Sequence, residues 1–152
     1  MNILANETDS LKAISEFKDD GLQIIVVLIN DRGFFDEWQK PEMPTIESVD
    51  TYKRGDQVIP IIIFGTDRKD ENGNADLTYD IIIKKPDGAI YGEFNQLNVW
   101  KDEEASVMHL VKQPIIIGIE EKDPLGIYTI DISVYENVKK QKIDFKLLFQ
   151  VI

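Results

Sequence analysis

"GIYTIDISVYE", Gly126 to Glu136, alternates without a fault. Tyr128, Ile130, Ile132 and Val134 fall on one face, and Thr129, Asp131, Ser133 and Tyr135 on the other. Strand side chains repeat every two residues, so this pattern is a strand with one dry and one wet side. "QKIDFKLLFQVI" follows after the polar connection "NVKK", with Ile143, Phe145, Leu147, Phe149 and Val151 in phase. A connection this short makes the two strands a hairpin. One buried sheet face needs a second apolar layer opposite it, so the rest of the chain must supply another sheet.

Upstream segments read as further strands. "LQIIVVLI" (Leu22 to Ile29) is rich in β-branched residues and bounded by Gly21 and "NDRG". "QVIPIIIFG" (Gln57 to Gly65) is another, and its Pro60 lacks a ladder donor, which places it near an edge, a bulge or a strand start. "LTYDIIIKK" (Leu77 to Lys85) runs into "PDG" and returns as "AIYGEF" (Ala89 to Phe94), a hairpin with a turn that presets φ at Pro86 and allows positive φ at Gly88. "SVMHLV" and "PIIIGIE", between Ser106 and Glu120, add one or two strands broken near Pro114. Helix is scarce. "SLKAISEFKDDG" reads either as a short helix capped by Ser10, with Leu11, Ile14 and Phe17 on one face, or as a lead-in strand. "FFDEWQ" reads as a single helical turn. No internal repeat or βαβ alternation is visible, so the expected organisation is a lead-in over residues 1–20 and one domain over 21–152.

Composition narrows the function classes. The chain has 152 residues, is 43% hydrophobic, and carries a net charge of −11. Nucleic acids bind mainly through phosphate neutralisation by Lys and Arg, so an acidic chain argues against them, and against anionic membranes. The longest apolar run, Ile24 to Ile29, is too short to span a bilayer. "MNILANETDS" lacks the basic start and long apolar stretch of a signal peptide. Absent cysteine removes disulfides, thiol catalysis and cysteine-ligated metals.

"DPLGIYTI", Asp123 to Ile130, resembles the tyrosine corner of immunoglobulin-like and fibronectin-type sandwiches, with Tyr128 matching the tyrosine and Asp123 and Gly126 the turn before it. "ENGNADLTYDI" resembles the D-x-x-G-x-A turn of bacterial immunoglobulin-like domains, through Asp70, Gly73 and Ala75, and "KRGDQV" (Lys53 to Val58) is similar to their lead into the second strand. The resemblance covers roughly Lys53 to Val151. It implies an all-β, immunoglobulin-like antiparallel sandwich of seven to nine strands, non-catalytic binding, and no particular ligand. Its last strands are similar to those of many secreted or periplasmic modules, so the expected location is periplasmic or extracellular.

Candidate sites are few. The one histidine, His109, has no nucleophile-elbow or H-E-x-x-H neighbour and reads as an ordinary strand histidine, so no enzyme is expected. With Met43 and Met108 it makes too few soft ligands for copper or zinc. The loop "TDRKDENGNADLTYD" is crowded with Asp67, Asp70, Glu71 and Asp76. Counted as an EF-hand from Asp70, it fails at position six (Ala75) and position twelve (Ile81), so calcium is a possible but not the favoured ligand, and no metal or cofactor is expected. In an immunoglobulin-like order this loop shares its end with the last hairpin turn, which sets Lys139, Lys140 and Lys142 opposite it. Phe34, Phe35 and Trp38 in "GFFDEWQKPEMP", and Trp100 in "LNVWKDEEA", are either plugs or exposed anchors. The expected function is a non-enzymatic binding or accessory module of the bacterial envelope with a protein partner, the alternatives being a proteinase-inhibitor-like sandwich or a carbohydrate-binding module.

Overall fold

A computed structural model of the chain describes residues 11–42, 44–105 and 108–152. Ser10, Met43, Ser106 and Val107, named above, lie outside the described residues. Among the described residues ten strands form, β1 (Ile14–Asp19), β2 (Leu22–Ile29), β3 (Thr51–Tyr52), β4 (Gln57–Thr66), β5 (Ala75–Lys84), β6 (Ile90–Glu103), β7 (His109–Leu110), β8 (Ile117–Gly118), β9 (Gly126–Glu136) and β10 (Gln141–Val151), with one helix, α1 (Gly33–Trp38). Seven strands of six residues or more carry the structure, within the expected seven to nine; three two-residue strands raise the count to ten.

One sheet has the order β1-β2-β4-β7, with β8 also on β4, and the other has β3-β10-β9-β5-β6. Every pairing is antiparallel except β3 on β10. The order is immunoglobulin-like: β2, β4 and the β7–β8 segment take the places of strands A, B and E, while β5, β9 and β10, extended by β6, make the facing C, F and G sheet. Leu22, Ile24, Val26 and Leu28 of β2 meet Tyr79, Ile81, Ile130, Ile132 and Phe145 of the other sheet in one core. Pro60 lies in the gap between the stretch of β4 that pairs with β8 and the stretch that pairs with β7, where the ladder on that side is interrupted.

The lead-in is a strand and not a helix. Asp19 pairs with Leu22, so Asp20-Gly21 forms a two-residue hairpin loop, and Gly21 sits at φ +74. Asp-Gly between apolar runs is a strong short hairpin signal. A Cβ at Gly21 would also collide with the Asp67 carboxylate, which closes the position to other residues. Just before β1, the backbone of Lys12 exchanges two hydrogen bonds of 2.9 Å with Leu148, so the chain ties the two sheets together as it enters.

At the other end, Tyr128 donates from its hydroxyl to the Pro124 carbonyl at 2.7 Å. Its ring is fully buried, stacked on Phe149 (5.1 Å) and edge-on to Tyr91 (5.9 Å). Asp123 is buried and accepts hydrogen bonds from the Tyr91 hydroxyl and the Glu120 N–H, while Arg54 donates two bonds to its carbonyl. Gly126, at φ +129, lies where a Cβ would press to 2.9 Å from Pro86. Tyr128→Phe keeps the ring and leaves the Pro124 carbonyl without this donor, so a loss of about 1 kcal/mol and a fall of about 3 °C in Tm are expected. An unchanged Tm in thermal denaturation would show that the hydroxyl contributes nothing to the corner.

Candidate functional site

β4 reads "QVIPIIIFGT", apolar in both phases of the strand period. Val58, Ile62 and Phe64 point into the sandwich. Ile59, Ile61 and Ile63 point the other way and join Val27 and Ile29 of β2 in a second apolar cluster on the outer face of the first sheet. Leaving that face wet would expose the most strongly apolar strand pair in the chain. The segment after β2 covers it. The Asp31 carboxylate accepts the Gly33 N–H at 2.8 Å, α1 follows, and Phe34, 9% exposed, enters the cluster. Phe34 is therefore a plug, set over the outer face of the sheet and not under an open edge.

Trp38 lies four residues after Phe34 on the same helix face, 5.9 Å away between rings, and Phe35 is edge-on at 6.3 Å. Both are half-buried and pack around the cluster at its β7 side. Facing them, the second half of β6 carries Trp100. This ring belongs to the sandwich core and is only 8% exposed, so it is no free-standing platform. Phe64 meets it edge-on at 5.6 Å, and the His109 ring lies 4.3 Å from it. The Lys112 ammonium sits 4.4 Å over the Trp100 ring and 2.6 Å from the Glu103 carboxylate. The Trp100 indole N–H donates to the Glu103 carbonyl at 3.2 Å.

Between these two groups lies a cleft of about 530 Å³. Phe35, Trp38 and Gln39 form one wall; Trp100, His109 and Lys112 form much of the other. Behind it Val111, Lys112 and Gln113 donate their N–H groups to Ile62, Val99 and Asn98. Three of the aromatic candidates, Phe35, Trp38 and Trp100, thus share one concavity, although they stand more than sixty residues apart in the chain. Sequence reasoning did not assign His109, Lys112 or Gln39 to it. Their side chains meet only because α1 folds back across the sheet, and no local pattern encodes that.

The acidic loop is elsewhere, at the end of the sandwich beside the β9–β10 turn. Asp70 accepts the N–H groups of Asn72 and Asn74, so its carboxylate closes the loop on itself. Asp76 accepts from the Asn137 side chain and also takes that residue's N–H on its carbonyl. Glu71 is exposed. Asp67 lines a second concavity of about 470 Å³ with Leu22 and Lys69. No group of three or more His, Asp or Glu side chains among the described residues is gathered closely enough to hold a metal ion.

Charge pairing across this end differs from the expected one. Lys142 pairs with Asp144, on its own strand, at 3.8 Å, and no ion pair joins Lys139, Lys140 or Lys142 to the loop carboxylates among the described residues. Instead Arg68 turns inward, 6% exposed, and its guanidinium reaches Glu136 (3.2 Å), Gln141 (2.7 Å) and the Asp20 carbonyl (2.8 Å). Glu136 is 1% exposed and also accepts the N–H groups of Val138 and Lys139. One signal could have revealed it: Glu136 continues the inward phase of Tyr128, Ile130, Ile132 and Val134.

No family model and no curated protein matches the chain. Solved structures share a broad fold likeness only. A Niemann-Pick type C2 protein from Japanese carpenter ant is 9% identical, covering 94% of this chain and 96% of that one at a TM-score of 0.45. The PmoD soluble domain from Methylocystis sp. ATCC 49242 (Rockwell) is 11% identical, covering 90% and 96% at 0.43. A family 123 glycoside hydrolase from Clostridium perfringens is 13% identical at 0.44; the match covers 85% of this chain but spans only 27% of that one.

Two outcomes follow from this geometry. Arg68→Ala leaves Glu136 buried without its cation and is expected to cost about 3 kcal/mol in chemical denaturation; Glu136→Gln keeps an acceptor for the turn but leaves the Arg68 guanidinium buried without its anion, and is expected to be destabilising as well. A loss under about 1 kcal/mol for Arg68→Ala would show that the pair is not a determinant of stability. Separately, burial holds the His109 imidazole below its ordinary value of 6.5; Lys112 adds to the depression and Glu103 opposes it. The folded chain then binds this proton less readily than the unfolded chain. Its contribution to stability is complete above the ordinary value and is lost as pH falls through the lower folded one. His109→Gln is expected to flatten the stability profile below pH 6.5; identical slopes for the two proteins would exclude the effect.

Proposed function

We propose that the chain is a non-enzymatic binding module of the bacterial envelope and that it works through the cleft between α1 and the β6–β7 edge. The observation that carries this reading is the convergence of Trp38 and Trp100, from distant segments, on one concavity of about 530 Å³. Clefts of this size with aromatic walls and a few polar groups are the usual form of a binding site. A non-catalytic role is supported by the setting of His109, whose ring is packed against Trp100 and Phe64. The envelope setting is supported by the resemblance of the last strands to secreted and periplasmic modules. A proteinase-inhibitor-like role would need a loop held extended, whereas Thr66 to Asp76 is folded back by Asp70 and anchored by Arg68.

A photo-crosslinking residue in place of Pro114, which lines the same cleft, expressed in the source cell, is expected to trap a conjugate in the envelope fraction. Trp38→Ala, with its Tm checked, is expected to abolish it. Absence of any conjugate, or a conjugate that survives Trp38→Ala, would overturn the cleft as the site.

A further inference from the structure

We infer that the ligand of the cleft is an uncharged glycan, held by ring stacking on Trp38 and by hydrogen bonds from Gln39 and Lys112. This rests on the cleft being the binding site and adds the chemistry of what enters it.

Charge is the first argument. The chain carries −11 overall, yet the cation that lines this site and the one just beyond it are each paired. Lys112 is paired with Glu103 at 2.6 Å, and Lys40, just beyond Gln39, is paired with Glu37 at 3.1 Å. An anionic ligand would meet the net negative field and would have to take Lys112 from Glu103. A cation would be drawn to the carboxylates elsewhere on the surface and would find the Lys112 ammonium at the wall. A neutral ligand loses nothing to either effect.

The second argument is the short edge and its engaged N–H groups. A peptide that adds as a strand needs unpaired N–H and C=O groups along an edge. Here the N–H groups of Val111, Lys112 and Gln113 are all engaged within the fold, and β7, although it ends its sheet, is only two residues long, which leaves little edge for an added strand. The Trp100 indole N–H, a natural donor to a peptide carbonyl, is engaged by Glu103. Recognition in this cleft falls mainly to side chains.

Those side chains match a pyranose. A sugar ring has an apolar C–H face and a rim of hydroxyls that both donate and accept. Trp38 and Phe35 supply the apolar wall. The Gln39 amide can donate to one hydroxyl and accept from its neighbour, and the exposed Lys112 ammonium keeps donors beyond the one directed at Glu103. Trp100, covered by His109 and Lys112, holds the opposite wall in place and does not stack on the ligand itself. A volume of about 530 Å³ suits one to three sugar units and is far smaller than a protein–protein footprint.

Tryptophan fluorescence of the purified chain tests the assignment. The probes are neutral gluco-, manno-, xylo-, galacto- and N-acetylglucosamine oligosaccharides, with an oligogalacturonate and a proline-rich peptide as controls. Saturable binding of at least one neutral series is expected, changing less than about twofold between 50 and 500 mM salt because no charge is screened. Trp38→Ala is expected to weaken it about tenfold or more. Gln39→Ala, at an exposed position that leaves the helix intact, is expected to weaken it at unchanged Tm. Flat titrations with every neutral series, or binding only of the acidic oligomer or the peptide, overturn the glycan assignment. If position 114 still traps a proteinase-sensitive conjugate, the glycan fails and the cleft stands; if it traps nothing, both fail.

Discussion

A strand that is apolar on both faces cannot rest at the surface of a two-layer sandwich, and β4 is such a strand. Ile59, Ile61 and Ile63 are fully buried, yet they lie on the side of the sheet away from the main core. Each would cost about 2 kcal/mol if left in water. Everything particular to this protein follows from covering them. The chain cannot pass directly from β2 to β4 by a short turn; it must cross the outer face, and in crossing it forms α1 and seats Phe34. Trp38 and Phe35 then project past the edge of the cluster because a short helix cannot bury every aromatic side chain it carries. The cleft is what remains where that cover stops short of β7.

Both ends of the sandwich are closed by polar groups drawn inward. At one end Asp123 gathers Tyr91, the Glu120 N–H and Arg54 beneath the Tyr128 corner. At the other, Arg68 and Glu136 join the β1–β2 turn, the Thr66–Asp76 loop and the β9–β10 turn into one unit. A buried ion pair is a weak source of net stability, because desolvation offsets most of its attraction. Its value here is directional. Glu136 satisfies two N–H groups of a turn, and Arg68 satisfies the Asp20 carbonyl, so three loops that could each splay into solvent are held in one arrangement by a shared set of polar contacts, although the Arg68 Nε is left without a partner among the described residues.

Those closures explain what the sequence reveals and what it hides. Alternation in β9 and β10 determines the second sheet almost residue by residue, since a strand with one wet face writes its phase into its composition. The tyrosine corner is legible for the same reason: its partners lie within five residues of each other. The lead-in is ambiguous because Leu11, Ile14 and Phe17 suit a helix face, while Asp20-Gly21 suits a hairpin, and only the free edge of β2 decides between them. Arg68 is hidden among surface charges because nothing near it in sequence says that it turns inward; its partner lies 68 residues away. Trp38 and Trp100 are visible as unusual residues, but their meeting depends on α1 crossing the sheet. Local signals are legible, and contacts made by a crossing connection are not.

The acidity of the chain and the neutrality of the cleft belong together. A surface at −11 keeps copies of the protein apart and repels the anionic polymers that an aromatic-walled groove would otherwise attract. Nucleobases stack on tryptophan as well as sugars do, and what brings a nucleic acid to such a groove is positive charge along its backbone path. Here the cation nearest the rings is matched by Glu103. On the proposed reading, selectivity against charged ligands is a property of the whole surface, while affinity resides in a few side chains on α1 and the β6–β7 edge. Such a division allows the cleft to change its ligand by changing two or three residues without disturbing β4 beneath it. The isoleucines need an apolar cover; they place no requirement on what the outer side of that cover recognises.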